Sequence, residues 1–351
     1  MNAYIITRDN LRTWIDALIR DYTLVAPVRE EEKVSLFKPV GSFTEIDLNY
    51  TNSTISPKGW LFPQTEEMFF FFTSDNQINL EDACKPGTTI LFGLRPCDVK
   101  GIIALDPVFN GTYQDCYYQM RRQNTILVCL CCTRVERHCF CNSMGGGPTN
   151  GEGADLLLTE MEDGYGIEVL TSRGEELVNK YHQLFAVDGD NRVSKTRDEM
   201  GKKLASQFSR KVDISGIKEF LDQHFELPYW NELAQRCLGC GICTFICPTC
   251  HCFDIFDQSP DGESGVRSRC WDSCMFSHFT RMAGGHNPRP TKKERIRNRF
   301  LHKLKYHRDR YNLDGCVGCG RCINKCPVNI DIRQIIADLQ EVARYDQLPL
   351  S

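Results

Sequence analysis

Hydrophobic positions change their spacing along the chain, and the changes divide it. Leu11, Trp14, Ile15, Leu18 and Ile19 recur at intervals of three and four, which predicts an amphipathic helix across residues 7–22. Short runs rich in β-branched and aromatic residues follow at 22–28, 34–40, 68–73, 89–94, 125–130 and 154–160, and each reads as a strand. Loops rich in Gly, Pro, Asn and Ser separate them, notably 51–59 and 145–153. Residues 98–105 read as a short helix directly after the strand ending at Leu94. This mixture makes residues 1–190 a mixed α/β domain whose strand order the pattern does not reveal. Residues 191–230 are charged, with Leu204, Phe208, Ile217, Phe220, Leu221 and Phe225 spaced for a helical linker. Beyond 230 strand signals vanish. Ile332, Ile335, Ile336, Leu339 and Val342 close the chain with an amphipathic helix, so residues 231–351 are expected to be mainly helical. The expected class is α+β.

Composition alters this picture at one point. Of 351 residues, 20 are Cys, and they are clustered: eight between 84 and 141, none from 142 to 236, twelve between 237 and 326. The start MNAYIITRDNLRTW lacks the apolar core of a secretory signal, and the longest apolar run, Met68 to Phe72, is far short of the roughly 18 residues a spanning helix needs. A cytoplasmic protein among reduced thiols is expected, where cysteines in number point to metal rather than disulfides. A net charge of −4 recommends neither nucleic acid nor an acidic membrane as partner.

The sequence RCLGCGICTFICP supplies Cys237, Cys240, Cys243 and Cys247, and GCVGCGRCINKCP repeats the spacing 79 residues on, at Cys316, Cys319, Cys322 and Cys326 (237 to 316, 247 to 326). A cubane has four irons, each wanting one thiolate. Three Cys in a tight glycine-bearing loop reach three of them, and in two-cluster ferredoxins the fourth Cys crosses to the other cluster. Cluster one is therefore expected on Cys237, Cys240, Cys243 and Cys326, and cluster two on Cys316, Cys319, Cys322 and Cys247. A zinc site pairs shorter elements across a longer insert, and free core cysteines have no reason to repeat a four-position spacing. The second module thus reads as a helical, ferredoxin-like domain with two [4Fe–4S] clusters.

The remaining cysteines leave alternatives open. Cys97, in LRPCD, and Cys132, Cys139 and Cys141 follow two predicted strands; if those strands are neighbours, the four converge at one sheet edge. A third [4Fe–4S] cluster, a zinc ion or a set of unligated buried thiols all answer to that pattern. On the strand before Cys132, Cys129 and Cys131 share a face. Between the ferredoxin motifs, Cys250, Cys252, Cys270 and Cys274 ligate a further cluster, line the known ones or are buried small residues. Cys84 and Cys116 read as packing residues. Residues 286–310 carry ten Lys or Arg, read as a solvated helix face, as cations around a negatively charged cluster, or as a docking surface shaping the electron exit side. No nucleotide fingerprint follows a strand, and no residue is assigned a catalytic role.

From about residue 90 to 335 the ordered series LRPCD, YYQMRRQN, CFCNSMG, GADLLLTE, CGICTFICPTCHCFD, WDSCMF, MAGGHNPRP, RFLHKLKY and GCVGCGRCINKCPVNID resembles the iron–sulfur beta subunit of cytoplasmic NAD(P)-linked nickel–iron hydrogenases, the sulfhydrogenases. The corresponding component of anaerobic sulfite reductase belongs to the same group. Cys97, Cys132, Cys139 and Cys141 occupy family cysteine positions, as do Cys250, Cys252 and Cys274. The resemblance implies an electron-transfer subunit passing single electrons between a flavoprotein subunit linked to NAD(P)H and a terminal redox subunit of hydrogenase type. The alternatives are the same relay in a sulfite reductase, or a flavin-binding enzyme subunit with its own substrate site.

Overall fold

The computed structural model describes residues 2–346 apart from Lys33, Asp75, Asn76, Lys85 and Pro86. Among the described residues the strands are β1 (Ala3–Thr7), β2 (Thr23–Glu31), β3 (Val34–Pro39), β4 (Thr65–Ser74), β5 (Gln77–Asp82), β6 (Thr89–Leu94), β7 (Thr125–Leu130), β8 (Leu156–Met161), β9 (Gly164–Val169), β10 (Ala186–Val187), β11 (Phe253–Gln258) and β12 (Ser264–Trp271). Eight of them form one sheet in the order β10-β1-β9-β8-β7-β6-β2-β3, parallel from β8 to β2 and antiparallel outside. The parallel centre explains the unbroken apolar runs of β6 and β7, because both of their faces are covered. Ile90, Phe92, Ile126 and Val128 pack under the helix Arg8–Asp21, whose Leu11, Trp14, Ile15 and Leu18 are buried as the spacing predicted. Leu91, Leu127, Cys129 and Cys131 face the other way, against Val99, Ile102 and Leu105 of the helix Pro96–Phe109.

The segment after residue 230 corrects an expectation, because it is not free of strands. β11 and β12 make an antiparallel hairpin inside the stretch between the two ferredoxin motifs. The hairpin adds to β4 and β5 in a second sheet, ordered β11-β12-β4-β5. The signal was present as Asp261–Gly262: Asp261 Oδ1 accepts the N–H groups of Glu263 and Ser264, and Gly262 takes φ of +80°. What made the segment look irregular is that its partner strand is remote in the chain, Arg269 and Glu66 being 203 residues apart. A buried ion-pair network seals the join: Arg269 pairs with both Glu66 and Asp115, and Arg121 Nη1 stands 2.5 Å from Glu66.

The linker divides its allegiance. The helix Arg192–Ala205 buries Val193 against Gly166 of the large sheet, whereas Ile217, Phe220 and Leu221 of the helix Ile217–Gln223 join a second core. That core is helical, built on Trp230, Ile296, Phe300, Leu301, Ile335, Ile336 and Leu339, and it takes in Phe140 and Met144 from the first half of the chain. Among the described residues no helix is long and apolar enough to cross a membrane.

Candidate metal centres

The two repeated motifs fold into matching loops. Gly239 and Gly241 have φ of +74° and +76°, and Gly318 and Gly320 have +67° and +74°, a region L side chains avoid. The second glycine of each pair starts a short helix, Ile242–Phe245 and Arg321–Asn324, which turns the following cysteine inward. The loops aim backbone donors at sulfur: Gly239 N–H at Cys237 Sγ (3.3 Å), Gly318 N–H at Cys316 Sγ (3.5 Å) and Ile330 N–H at Cys326 Sγ (3.2 Å). Such donors favour a charged sulfur and raise the potential of a bound cluster.

Cys326 lies with Cys237, Cys240 and Cys243 around an apolar recess walled by Met275, Ile296, Phe300 and Ile332. Buried Cys247 stands instead within electrostatic reach of Cys316, Cys319 and Cys322. Cys247 also lies within electrostatic reach of Cys243, and Cys322 lines the recess of Cys237, so the two sets meet there. Burial pushes the Cys316 thiol up to about 12 and Cys243 to about 11; iron held there would invert that preference by stabilising thiolate.

The first-half group forms because β6 and β7 are parallel neighbours whose carboxyl ends lie side by side. Cys97 opens the helix after β6, Cys132 follows β7, and Cys139 and Cys141 come from the next loop, with Cys132 electrostatically coupled to the other three. This loop is pressed onto the second ferredoxin loop. Phe140 N–H donates to Gly318 O at 2.8 Å, Cys139 Sγ is 3.9 Å from Cys319 O, and a Cβ at Gly318 would stand 2.6 Å from Cys141 Cα. Arg321, 4% exposed, pairs with Asp98 at 2.7 Å, donates to Ser53 and reaches the Cys319 thiol. Its Nη1 has no oxygen or nitrogen partner among the described residues. Among the described residues no three His, Cys, Asp or Glu side chains close tightly enough on one point to hold a single metal ion.

The other cysteines separate by environment. Cys129 and Cys131 belong to the core beneath the helix Pro96–Phe109. Cys116 is exposed rather than packed, a correction, and Cys270 sits on β12 opposite Asp254 and Thr65. Cys250, Cys252 and Cys274 gather beside Cys243 and Cys247. Cys252 and Cys274 share a thiol hydrogen bond that holds Cys252 down to about 6.

Three buried cations converge on this region: Arg299 Nη1 is 3.2 Å from Cys250 Sγ, Lys303 Nζ 2.6 Å from Thr249 Oγ1, and Lys58 Nζ 2.7 Å from Cys250 O. None has a carboxylate partner among the described residues. The helix Lys292–Leu301 continues into a π-helical turn, His302–Tyr306, and turns both Arg299 and Lys303 inward. The expected docking surface is thereby corrected. Arg295 donates to the carbonyls of Arg289 and Pro290, Arg297 pairs with Glu226 and stacks on Phe225, and both are buried, as is Arg299. An unpaired buried cation is costly, so the site is built for a large anionic charge. A thiolate-ligated cubane carries such charge, and the donors and positive-φ glycines fit it. Sequence spacing flagged Arg299 and Lys303 only as a charge run; Lys58, arriving from the loop before β4, carried no signal at all.

Residues 236–330 match the family model of the 4Fe-4S dicluster domain. The chain is 34% identical over 317 residues to the sulfhydrogenase 2 subunit beta of Pyrococcus furiosus, an alignment covering 90% of this chain and 91% of that protein. No solved structure matches the chain. With paired ferredoxin loops, buried cations facing their thiols and likeness along nearly its whole length, the chain belongs to the sulfhydrogenase beta-subunit family, iron–sulfur electron-transport subunits carrying [4Fe–4S] clusters.

Proposed function

We propose that this chain relays single electrons through three [4Fe–4S] clusters between a flavoprotein subunit linked to NAD(P)H and a hydrogenase-type terminal subunit, in the cytoplasm. The ligand sets are Cys237, Cys240, Cys243 and Cys326; Cys316, Cys319, Cys322 and Cys247; and Cys97, Cys132, Cys139 and Cys141. The first two lie in a two-cluster module of residues 231–351 and the third in the module of residues 1–190, joined through 191–230. One observation carries the reading: the three thiol groups are contiguous, with Cys319 adjoining Cys97 and Cys141, and Cys322 walling the recess of Cys237.

The clusters supply one-electron storage in a buried site. The protein's part is electrostatic and steric. Arg321 holds a positive charge between the first-half group and the middle one, fixed by Asp98 and Ser53. Arg299 does the same between the middle group and the group of Cys237, anchored to the Cys243 carbonyl at 2.8 Å. Fixed cations lower the cost of adding an electron and need no reorganisation when it arrives. Apolar walls keep water from the recess of Cys237, while Cys240 is exposed and flanked by exposed Leu238 and Ile242, so one end of the chain of thiols opens to a partner. The test is iron and acid-labile sulfide per chain with reduced-state EPR, measured on anaerobically prepared protein. About 12 Fe is expected for three clusters; about 8 removes the first-half cluster, and a flavin or NAD(P)H turnover by the chain alone overturns the relay.

A further inference from the structure

Among the described residues the two sheets end in β10, β3, β11 and β5, and these edges are not alike. β10 has only two residues. β3 ends in Lys38 and Pro39, and its Ser35 carbonyl is taken by the Thr54 N–H at 2.8 Å. β11 carries Asp254 and Asp257, charges that keep another strand away. β5 has no such guard. Gln77–Asp82 reads QINLED, with its charges at one end, and Ile78 and Leu80 are 74% and 65% exposed. Both lie on the face of Phe71, which stands opposite Leu80 and leans over Gly265, where a Cβ would be 2.5 Å from its Cζ. Ala83 N–H donates to Met68 O at 3.1 Å, so alternation turns the N–H and C=O groups of Ile78, Leu80 and Asp82 outward, away from β4.

We propose that β5 pairs antiparallel with β5 of a second copy of this chain, about a two-fold axis at Asn79, so that the two four-stranded sheets continue as one. Complementarity sets the register. With the axis at Asn79, Ile78 of each copy faces Leu80 of the other, and each such pair exchanges both of its outward backbone hydrogen bonds. Gln77 then faces Glu81, an amide donor against a carboxylate, and within β5 no charge meets a like charge. An axis normal to the sheet keeps each face continuous, so Ile78, Leu80 and Phe71 of both copies make a single apolar stripe. Centring on Leu80 instead sets Ile78 against Asp82, and a slip the other way leaves Leu80 beyond the end of the opposing strand. A strand of this length buries a modest area, so the dimer forms reversibly with concentration. The inference goes beyond the relay reading and does not rest on it.

The experiment is sedimentation velocity on the full-length, cluster-loaded protein over a wide dilution series. The wild type is expected to rise from the mass of one chain to that of two as concentration increases. The double variant I78K/L80K is expected to stay at one chain throughout, while Ile255→Lys, on the opposite edge of the same sheet, associates as the wild type does. Gln77→Lys sets an ammonium opposite Glu81 and is expected to tighten the dimer about threefold at low salt; Gln77→Glu is expected to loosen it by a similar factor, both effects fading at high salt. A wild type that remains at one chain overturns the proposal, as does a dimer that survives I78K/L80K or is lost equally in Ile255→Lys. Gln77 variants that associate as the wild type does overturn the register at Asn79. Iron content and thermal unfolding are read on the same samples, and the Gln77 pair leaves the apolar stripe untouched, so a variant that misfolds is not mistaken for a lost interface. Absent clusters count against the relay, and a single-chain mass with clusters intact counts against the pairing of β5 alone.

Discussion

The two thiol-rich regions reach similar chemistry by opposite routes. In the second half, each ferredoxin motif packs four cysteines into eleven residues, and glycines at positive φ give the loop its shape before any distant contact forms. In the first half, Cys97 and Cys141 are separated by two elements and meet only because β6 and β7 pair in parallel. A local motif is robust and readable; a site assembled from strand ends depends on the whole sheet. Yet the two share a seam, because the loop carrying Cys139 and Cys141 lies on Gly318 and Gly320.

That seam gives the sharpest test. Gly318→Ala places a Cβ 2.6 Å from Cys141 Cα at a φ of +67°, whereas at Gly239 the nearest atom would be 3.9 Å away. Gly318→Ala is expected to cost on the order of 3–5 kcal/mol and to lose iron from both the middle and first-half groups; Gly239→Ala pays only the left-handed backbone strain, about 1–2 kcal/mol. Iron content and thermal unfolding of the two variants side by side check this, and equal losses would show that the regions do not share a seam.

Arg321→Gln comes next in size. It removes the charge facing Cys97 and Cys319 and leaves Asp98 buried without its partner, a loss of about 3–5 kcal/mol. Redox titration by EPR should show the neighbouring signals moving to lower potential. Arg299→Gln should shift the signals of the two ferredoxin loops instead, leaving the first-half group in place. If both variants move the same signals, the cations do not divide their work between the regions.

Cys247→Ser sharpens the comparison within the local motifs. The signal belonging to Cys316, Cys319 and Cys322 is expected to weaken or change type, while that of Cys237, Cys240 and Cys243 persists. Loss confined to the latter would establish uncrossed ligation.

The smallest effect concerns a tie between the halves. Asp331 pairs with Arg333, which donates to the Arg137 carbonyl of the first-half loop at 3.0 Å. Burial raises the Asp331 carboxyl, but hydrogen bonds from Arg333 outweigh it, and the group ends below its ordinary value. A depressed folded pKa contributes stability above the unfolded value, near 3.9, that is lost as pH falls through the folded one. Asp331→Asn is therefore expected to cost about 1 kcal/mol at pH 7, with the gap to the wild type closing below about pH 4 in denaturant titrations.

Much of this was legible in the residues. The spacing of Cys237 to Cys247 and of Cys316 to Cys326 announces the ferredoxin loops, and the runs at 89–94 and 125–130 are the observed β6 and β7. Given those strands, the meeting of Cys97 with Cys132, Cys139 and Cys141 followed if they were neighbours, and they are. The hairpin of β11 and β12 was overlooked although its Asp–Gly turn was visible, because a two-stranded segment has no stability until β4 supplies its third strand. The basic stretch misled for a related reason. Charge spacing says which residues are cationic, but the π-helical turn and the thiols opposite decide that Arg299 and Lys303 point inward.

The sequence by itself determined the loop geometry, since a glycine's freedom at φ near +70° and the reach of a cysteine side chain are local properties. It also determined the alternation that splits Ile90 and Phe92 from Leu91 across the sheet. Only the tertiary structure decided which cations face which thiols, with Lys58 arriving from the loop before β4 and Arg321 lodging against Asp98. These depend on remote segments meeting in three dimensions, Lys58 with Cys250 across 192 residues and Ser53 with Arg321 across 268. The desolvation that gives a buried charge its influence exists only once both sides have closed around it.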